Sequence, residues 1–201
     1  MEWSAAYAAV VFDLDGTLIQ LPVDWKAVRD DLAPSLGGSL ERKSIFAAIA
    51  ESTSPKSDAR RALFDVIDSY EVACVPMVTL IEGATSLLSS IPQGLGVALV
   101  TMQGRAVCNR VLERLGLAGF FGEVFTREDS LDRSEQLLLA SSALRVEPST
   151  TLFVGDKLSD LEAGRKLGAT VALVGKGARE EWRPDFLFRE LSGLQSHLFS
   201  K

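Results

Sequence analysis

The chain has 201 residues, 47% of them hydrophobic and 24% charged, and carries a formal net charge of −6 at pH 7. That length accommodates one substantial core with a smaller satellite, and the negative charge offers no positive field to a nucleic acid backbone or an anionic bilayer. No apolar run approaches the roughly 20 residues that span a bilayer, so the expected partner is a small molecule, with neither nucleic acid nor membrane.

Met1-Glu2-Trp3-Ser4 lacks the basic patch of a secretory leader, which makes the cytoplasm the expected location. Residues 8–12 form a short apolar run stopped by Asp and Gly, the pattern of a strand buried on both faces. Similar runs recur at 95–100, 123–125, 151–154 and 170–174. Helical patterns lie between them: Val107, Val111 and Leu115 stop at Gly116, and Leu158, Leu161 and Leu167 stop at Gly168. Alternating strands and helices predict an α/β core, a Rossmann-like parallel sheet with helices on both faces.

From 20 to 77 no strand-like run occurs, and the stretch is far too long for a plain connection. Trp25, Val28 and Leu32, then Ile45, Phe46 and Ile49, then Leu63, Ile67, Tyr70 and Cys74 give three apolar helical faces. Gly37-Gly38-Ser39 and Ser52-Thr53-Ser54-Pro55 separate them. The expectation is a small all-helical cap at 20–77 on a core made of 1–19 and 78–201. The two cysteines, Cys74 and Cys108, fall at apolar helical spacing and read as buried thiols.

Asp13-Leu14-Asp15-Gly16-Thr17 follows the first strand directly. Two carboxylates at a strand's carboxyl end point into the crevice where open α/β sheets bind ligands. Both charges there are costly unless a cation lies between them or one carboxyl stays protonated. Each remedy has a catalytic use: a magnesium ion brings a phosphate oxygen beside Asp13, whose carboxylate can attack phosphorus, and Asp15 can protonate the leaving oxygen. A solvated turn with Gly16 at positive φ accounts for this segment alone. It does not account for the acids that recur in Gly155-Asp156-Lys157-Leu158-Ser159-Asp160. Asp156 and Asp160 can face one cation, or cap the following helix, and the two roles are compatible. Thr101 ends another strand run before a helix expected near Gln103, where a hydroxyl and helix-start N–H groups cradle phosphate.

Asp-x-Asp-Gly-Thr, then Thr, then Gly-Asp-x-x-x-Asp at three strand ends resemble the haloacid dehalogenase superfamily, in particular phosphatases with a helical cap inserted after the first motif. The resemblance spans about residues 8–175. It implies Asp13 as nucleophile, Asp15 as general acid/base and Thr101 as phosphate-binding hydroxyl. It also implies a Mg2+ site of Asp13, Asp156, Asp160 and the backbone carbonyl of Asp15, and a sheet order of 5-4-1-2-3. Dehalogenating members lack the second aspartate, so Asp15 implies phosphate-ester chemistry. The early cap and Thr126-Arg127-Glu128-Asp129 resemble phosphoglycolate-phosphatase-like members.

Members of this kind usually carry a lysine at the start of the helix before the fourth strand, and residues 126–136 contain none. Four carboxylates and a phosphate dianion exceed the charge of one divalent ion, so another fixed phosphate-binding cation is expected. Arg133, just before the amphipathic run 135–144, is the first candidate and Lys157 the second, although each also reads as a solvated charge near a helix start. A bulkier, forked guanidinium implies slower turnover.

The expected activity is Mg2+-dependent hydrolysis of a small phosphorylated metabolite, a phosphate monoester, through an aspartyl-phosphate. A phosphomutase using the same aspartate pair, and a binding or regulatory protein with little turnover, are the alternatives. His197, the single histidine, lies in an amphipathic segment at 186–199 and reads as a surface or packing residue, while Trp25, Tyr70 and Trp182 read as packing. Trp25 is near enough to the first motif to line an entrance. The sequence specifies no oligomeric state.

Overall fold

The computed structural model describes residues 7–38, 40 and 44–199. The leader reading of residues 1–4, and Ser39 of the first expected break, lie outside them. In chain order the elements are β1 (Ala9–Asp13), β2 (Ile19–Gln20), α1 (Trp25–Leu32), α2 (Ile45–Ser52), α3 (Asp58–Cys74), β3 (Thr79–Leu80), α4 (Ala84–Ser90), β4 (Gly96–Val100), α5 (Arg105–Arg114), β5 (Glu123–Phe125), α6 (Arg133–Leu144), β6 (Thr151–Gly155), α7 (Leu158–Leu167), β7 (Thr170–Val174), β8 (Phe186–Phe188) and α8 (Leu191–Leu198).

Alternation along the central strands explains why their sequences are apolar throughout. Val10 and Phe12 of β1, Leu99 of β4 and Leu152 and Val154 of β6 pack with Leu87, Val107, Val111, Leu191 and Leu194 from α4, α5 and α8. Val11, Ala98, Val100 and Phe153 point the other way, onto Leu137 and Ala140 of α6. With helices on both faces, polar residues such as Asp13 and Thr151 stand only at the strand ends.

All six strands of the main sheet pair in parallel, in the order β5-β4-β1-β6-β7-β8. Counting only the five apolar runs, this is the order 5-4-1-2-3. The sixth strand, β8, is an addition, because 186–199 is not one amphipathic segment but a three-residue strand beside β7 followed by α8. A strand of three residues is too short to display alternation. His197 packs on Phe186 and Phe188 with ring centroids 4.3 and 5.6 Å away.

A second element without periodicity is the ribbon of β2 and β3, which pair antiparallel where the chain leaves and re-enters the sheet region. Between them, side chains cap each helix: Asp24 accepts from Lys26 and Ala27 N–H, Ser44 from Ala47 and Ser57 from Arg60. Val28, Leu32, Ile45, Ile49, Leu63 and Ile67 form a hydrophobic cluster of their own. Ile49 and Ile67 are fully buried in it, each contributing about 1.5–3 kcal/mol by burial. Cys74, at the end of α3, sits instead in the larger cluster under the sheet. Both cysteines are buried and unbridged. Among the described residues no helix is long and apolar enough to cross a membrane.

Candidate active site

Adjacent parallel strands end level, so their carboxyl ends deliver side chains to one place. Asp13 is the last residue of β1 and stands opposite Val100 of β4, with Thr101 next in the chain; β6, on the other side of β1, ends at Gly155, just before Asp156. After β1 the chain turns sharply through Gly16, at φ 95°. The Gly16 N–H donates to the Ile19 carbonyl at 2.9 Å, and a Cβ here would collide with the Asp156 carboxylate. Glycine thus lets the first and third motifs touch.

One carboxylate oxygen from each of Asp13, Asp156 and Asp160 lies within 4.8 Å of the others. Asp160, fully buried in the first turn of α7, accepts through Oδ2 from the N–H groups of Asp156 and Lys157 at 3.2 and 3.1 Å. It, rather than Asp156, caps that helix. Asp13 Oδ2, Asp156 Oδ1 and Asp160 Oδ1 are buried with no hydrogen-bond partner among the described residues. Three converging carboxylates, each with an oxygen that accepts no hydrogen bond, are a donor set suited to a hard divalent cation, and they fit Mg2+. The Asp15 side chain is not in this cluster. Its Oδ1 accepts from the Leu21 N–H at 2.9 Å, while its backbone carbonyl faces the site and accepts from Lys157 Nζ at 3.2 Å.

Arg133 is the first residue of α6 rather than a residue before it, and its side chain is buried against the acids. Nη2 donates to Asp13 Oδ1 at 2.8 Å and Nη1 to Gln136 Oε1 at 3.0 Å; Nε lies 3.1 Å from Asp160 Oδ1, an ion pair without hydrogen-bond alignment. Lys157, with its side chain about half exposed, reaches 3.6 Å from Asp156 Oδ1. Both expected cations therefore stand beside the acids, and only Arg133 touches Asp13. Thr101 is buried and its Oγ1 accepts from the Gln103 N–H at 3.1 Å; the helix expected near Gln103 begins at Arg105.

Concentrated charge in a buried place shifts the titrating groups. Burial pushes the Asp156 carboxyl up to about 7 against the pull of Lys157. Burial also raises Asp15, against the Leu21 hydrogen bond, and Asp160, against Arg133. For Lys157 and Arg133 burial acts against the charge, but neighbouring carboxylates, Asp13 foremost, outweigh it and hold both above their ordinary values.

Four residues that the motifs did not single out complete the site. Gln136, fully buried, donates to the carbonyls of Thr101 and Ser130 at 2.9 Å each while accepting from Arg133, and so fixes that guanidinium. Arg127, in the loop after β5, is fully buried and pairs with Glu71 at 3.0 Å, with Asp68, and with the Met102 carbonyl at 2.9 Å. Glu71 also accepts from the Gly104 N–H at 3.3 Å. Gln103 is 4% exposed. The helices of the insertion roof a cleft of about 710 Å³, in which Trp25, Ile45 and Phe46 face Asp13, Thr101, Arg133 and Lys157. Trp25 and Phe46 meet edge to face at 6.2 Å.

A capped parallel α/β sheet with clustered acids at its strand ends defines a class of hydrolase, and the comparison with known proteins gives its family. The model of the haloacid dehalogenase-like hydrolases matches residues 10–174, and the chain belongs to that family. An N-acetylmuramic acid 6-phosphate phosphatase of Pseudomonas aeruginosa is 34% identical over 193 residues, covering 84% of this chain and 82% of its own. A phosphoglycolate phosphatase of Synechococcus elongatus is 24% identical, covering 92% and 94%. Among solved structures, a haloacid dehalogenase-like hydrolase from Streptococcus pneumoniae superposes with a TM-score of 0.73 at 16% identity, covering 96% of this chain and 99% of its own. The chain is a phosphatase-type hydrolase of this family, on its phosphoglycolate-phosphatase-like side.

Proposed function

We propose that the protein hydrolyses a phosphate monoester of a small phosphorylated metabolite, with Mg2+ and through an aspartyl-phosphate on Asp13. The observation that carries this reading is the convergence of Asp13, Asp156 and Asp160, each with an oxygen that accepts no hydrogen bond, beside a buried Arg133. Asp13, Asp156, Asp160 and the Asp15 carbonyl would hold Mg2+, which when bound neutralises phosphate oxygens and draws charge from phosphorus. Arg133 bonds Asp13 Oδ1 and so fixes the nucleophilic carboxylate at the end of β1. Thr101 and the N–H groups that follow it bind the phosphoryl oxygens, and Arg133 and Lys157 offset their charge.

Asp15 is raised by burial, so it holds a proton more readily than a solvent carboxyl. It gives that proton to the leaving oxygen as the ester P–O bond breaks. It then takes a proton from the water that attacks the aspartyl-phosphate, releasing phosphate and restoring Asp13. We assign residues 20–77 to the cap, which shelters this chemistry from bulk water, and 1–19 with 78–201 to the core. The work is assigned to the cytoplasm.

The test is Mg2+-dependent phosphate release from a panel that includes N-acetylmuramic acid 6-phosphate, phosphoglycolate, pyrophosphate and sugar phosphates. Release that survives Asp13→Asn would eliminate the covalent route.

A further inference from the structure

Gln103 occupies an unusual position for an amide. It is 4% exposed, and neither its Oε1 nor its Nε2 has a hydrogen-bond partner among the described residues. Buried polar groups are nearly always paired, so a side chain with both ends unsatisfied asks for an explanation. Its backbone leaves it little freedom to search for one: its N–H donates to Thr101 Oγ1 at 3.1 Å, and its carbonyl accepts from the Arg127 N–H at 3.5 Å. Gln103 is among the residues that line the cleft holding Asp13 and Thr101. Nearby lining groups from the roof and loops, Ile45, Phe46, Met102 and Leu131, are apolar, and the Glu71 carboxylate is already taken by Arg127 and the Gly104 N–H.

We propose that Gln103 determines specificity by reading a hydroxyl on the leaving-group side of the substrate, so that the enzyme selects phosphorylated polyols and sugars over alkyl phosphates. A hydroxyl donates one hydrogen bond and accepts another, and the amide presents one group of each kind. With the phosphate at Thr101, two residues away, the amide addresses atoms just beyond the ester oxygen. The apolar walls give an alkyl chain contact but leave the amide unsatisfied, and a site built to bond a hydroxyl discriminates against a substrate lacking it.

This rests on the phosphatase reading only for where the phosphate sits, and binding separates the two. In the chain carrying Asp13→Asn, with Mg2+, calorimetry compares glycerol 3-phosphate with propyl phosphate, which differ only in hydroxyls. Glycerol 3-phosphate is expected to bind about tenfold more tightly. Gln103→Met, of similar length and without a hydrogen-bonding amide, brings the preference below about twofold, and Gln103→Glu, which keeps acceptor oxygens, restores part of it. Equal binding of the two esters, no binding of either, or a preference that persists in Gln103→Met would overturn the proposal and leave Gln103 as a residue satisfied by trapped water. Phosphate release from glycerol 3-phosphate by the chain with Asp13 intact is read separately. Its absence alongside intact hydroxyl discrimination counts against the phosphatase reading alone.

Discussion

Replacing Arg133 with alanine removes one guanidinium from two buried carboxylates, Asp13 at 2.8 Å and Asp160 at 3.1 Å. Stranding a buried charge by deleting its partner costs about 3–5 kcal/mol. Lys157 does not compensate, since its ammonium is spent on the Asp15 carbonyl and the Asp156 carboxylate. At about 2–4 °C per kcal/mol for a chain of this size, the metal-free melting temperature should fall by about 6–20 °C. Turnover should fall further than stability alone would cause. Losing one preorganised group aimed at developing charge costs about 100- to 1000-fold in kcat, and a remaining cation reduces this to no less than about tenfold. The assay is Mg2+-dependent phosphate release, read as kcat, beside thermal melts in a chelator. Arg133→Lys keeps the charge but loses the fork that spans Asp13 and Gln136, so it should fall between wild type and alanine. Lys157→Ala should do less than Arg133→Ala. An Arg133→Ala enzyme within about threefold of wild type, or a larger loss from Lys157→Ala, would refute the assignment.

Asp13→Asn should reduce phosphate release by about a thousandfold or more, with the fold retained because Arg133 keeps Asp160 as partner; circular dichroism and melting check the second half. Gly16→Ala forces a side chain to φ 95° and into the Asp156 carboxylate, so it should cost about 1–3 kcal/mol in strain and weaken Mg2+ binding by calorimetry; unchanged affinity would count against the packing of Gly16 on Asp156. Glu71 is raised from 4.5 to about 7, chiefly by burial. The folded chain therefore holds this proton more tightly than the unfolded chain, and the associated stability is full below about pH 4.5 and lost as pH rises through about 7. At about 1.4 kcal/mol per pKa unit the loss is on the order of 3 kcal/mol. Glu71→Gln removes the dependence, so the stability of wild type relative to the variant should decline between about pH 5 and 8 in denaturant titrations, and a flat difference would refute it.

Strand ends were legible because a motif is a local event: a buried run stops, and the next residues are acids and glycine. Asp13, Thr101 and Asp156 could be placed on adjacent strands from that alone, once the order of the strands was known. Gln136 could not, because its partners are the backbone carbonyls of Thr101 and Ser130, which no side-chain pattern records. Glu71 did leave a trace. It falls in register with Leu63, Ile67 and Cys74 on the buried face of α3, and a charged residue on an apolar stripe implies a buried partner. Its partner, Arg127, stood in view within the Thr126-Arg127-Glu128-Asp129 segment, but only folding brings α3 to that loop. β2 and β3 escaped for a different reason, being at two residues each too short for a period of two to repeat, and β8 was merged with the helix that follows it.

The buried Glu71–Arg127 pair also ties the cap to the loop that follows Thr101. Glu71 and Asp68 belong to α3, Arg127 follows β5, and the pair is completed by the Met102 carbonyl and the Gly104 N–H, the segment between Thr101 and α5. Gly104 is needed for this approach, since a Cβ there would strike Asp68 and Arg127. The α3 side of the cap is therefore bonded to the same short loop that presents Thr101 and Gln103. Moving α3 away would break the fully buried Arg127–Glu71 pair, whereas Trp25, Ile45 and Phe46 on α1 and α2 belong to the apolar cluster against which Leu131 packs. Breaking apolar contact strands no charge, so the α1 and α2 side can adjust while the loop bearing Thr101 stays tied to α3. On the mechanism proposed above, this division would let the acids at the strand ends be kept while substrate choice is settled by the surfaces around them.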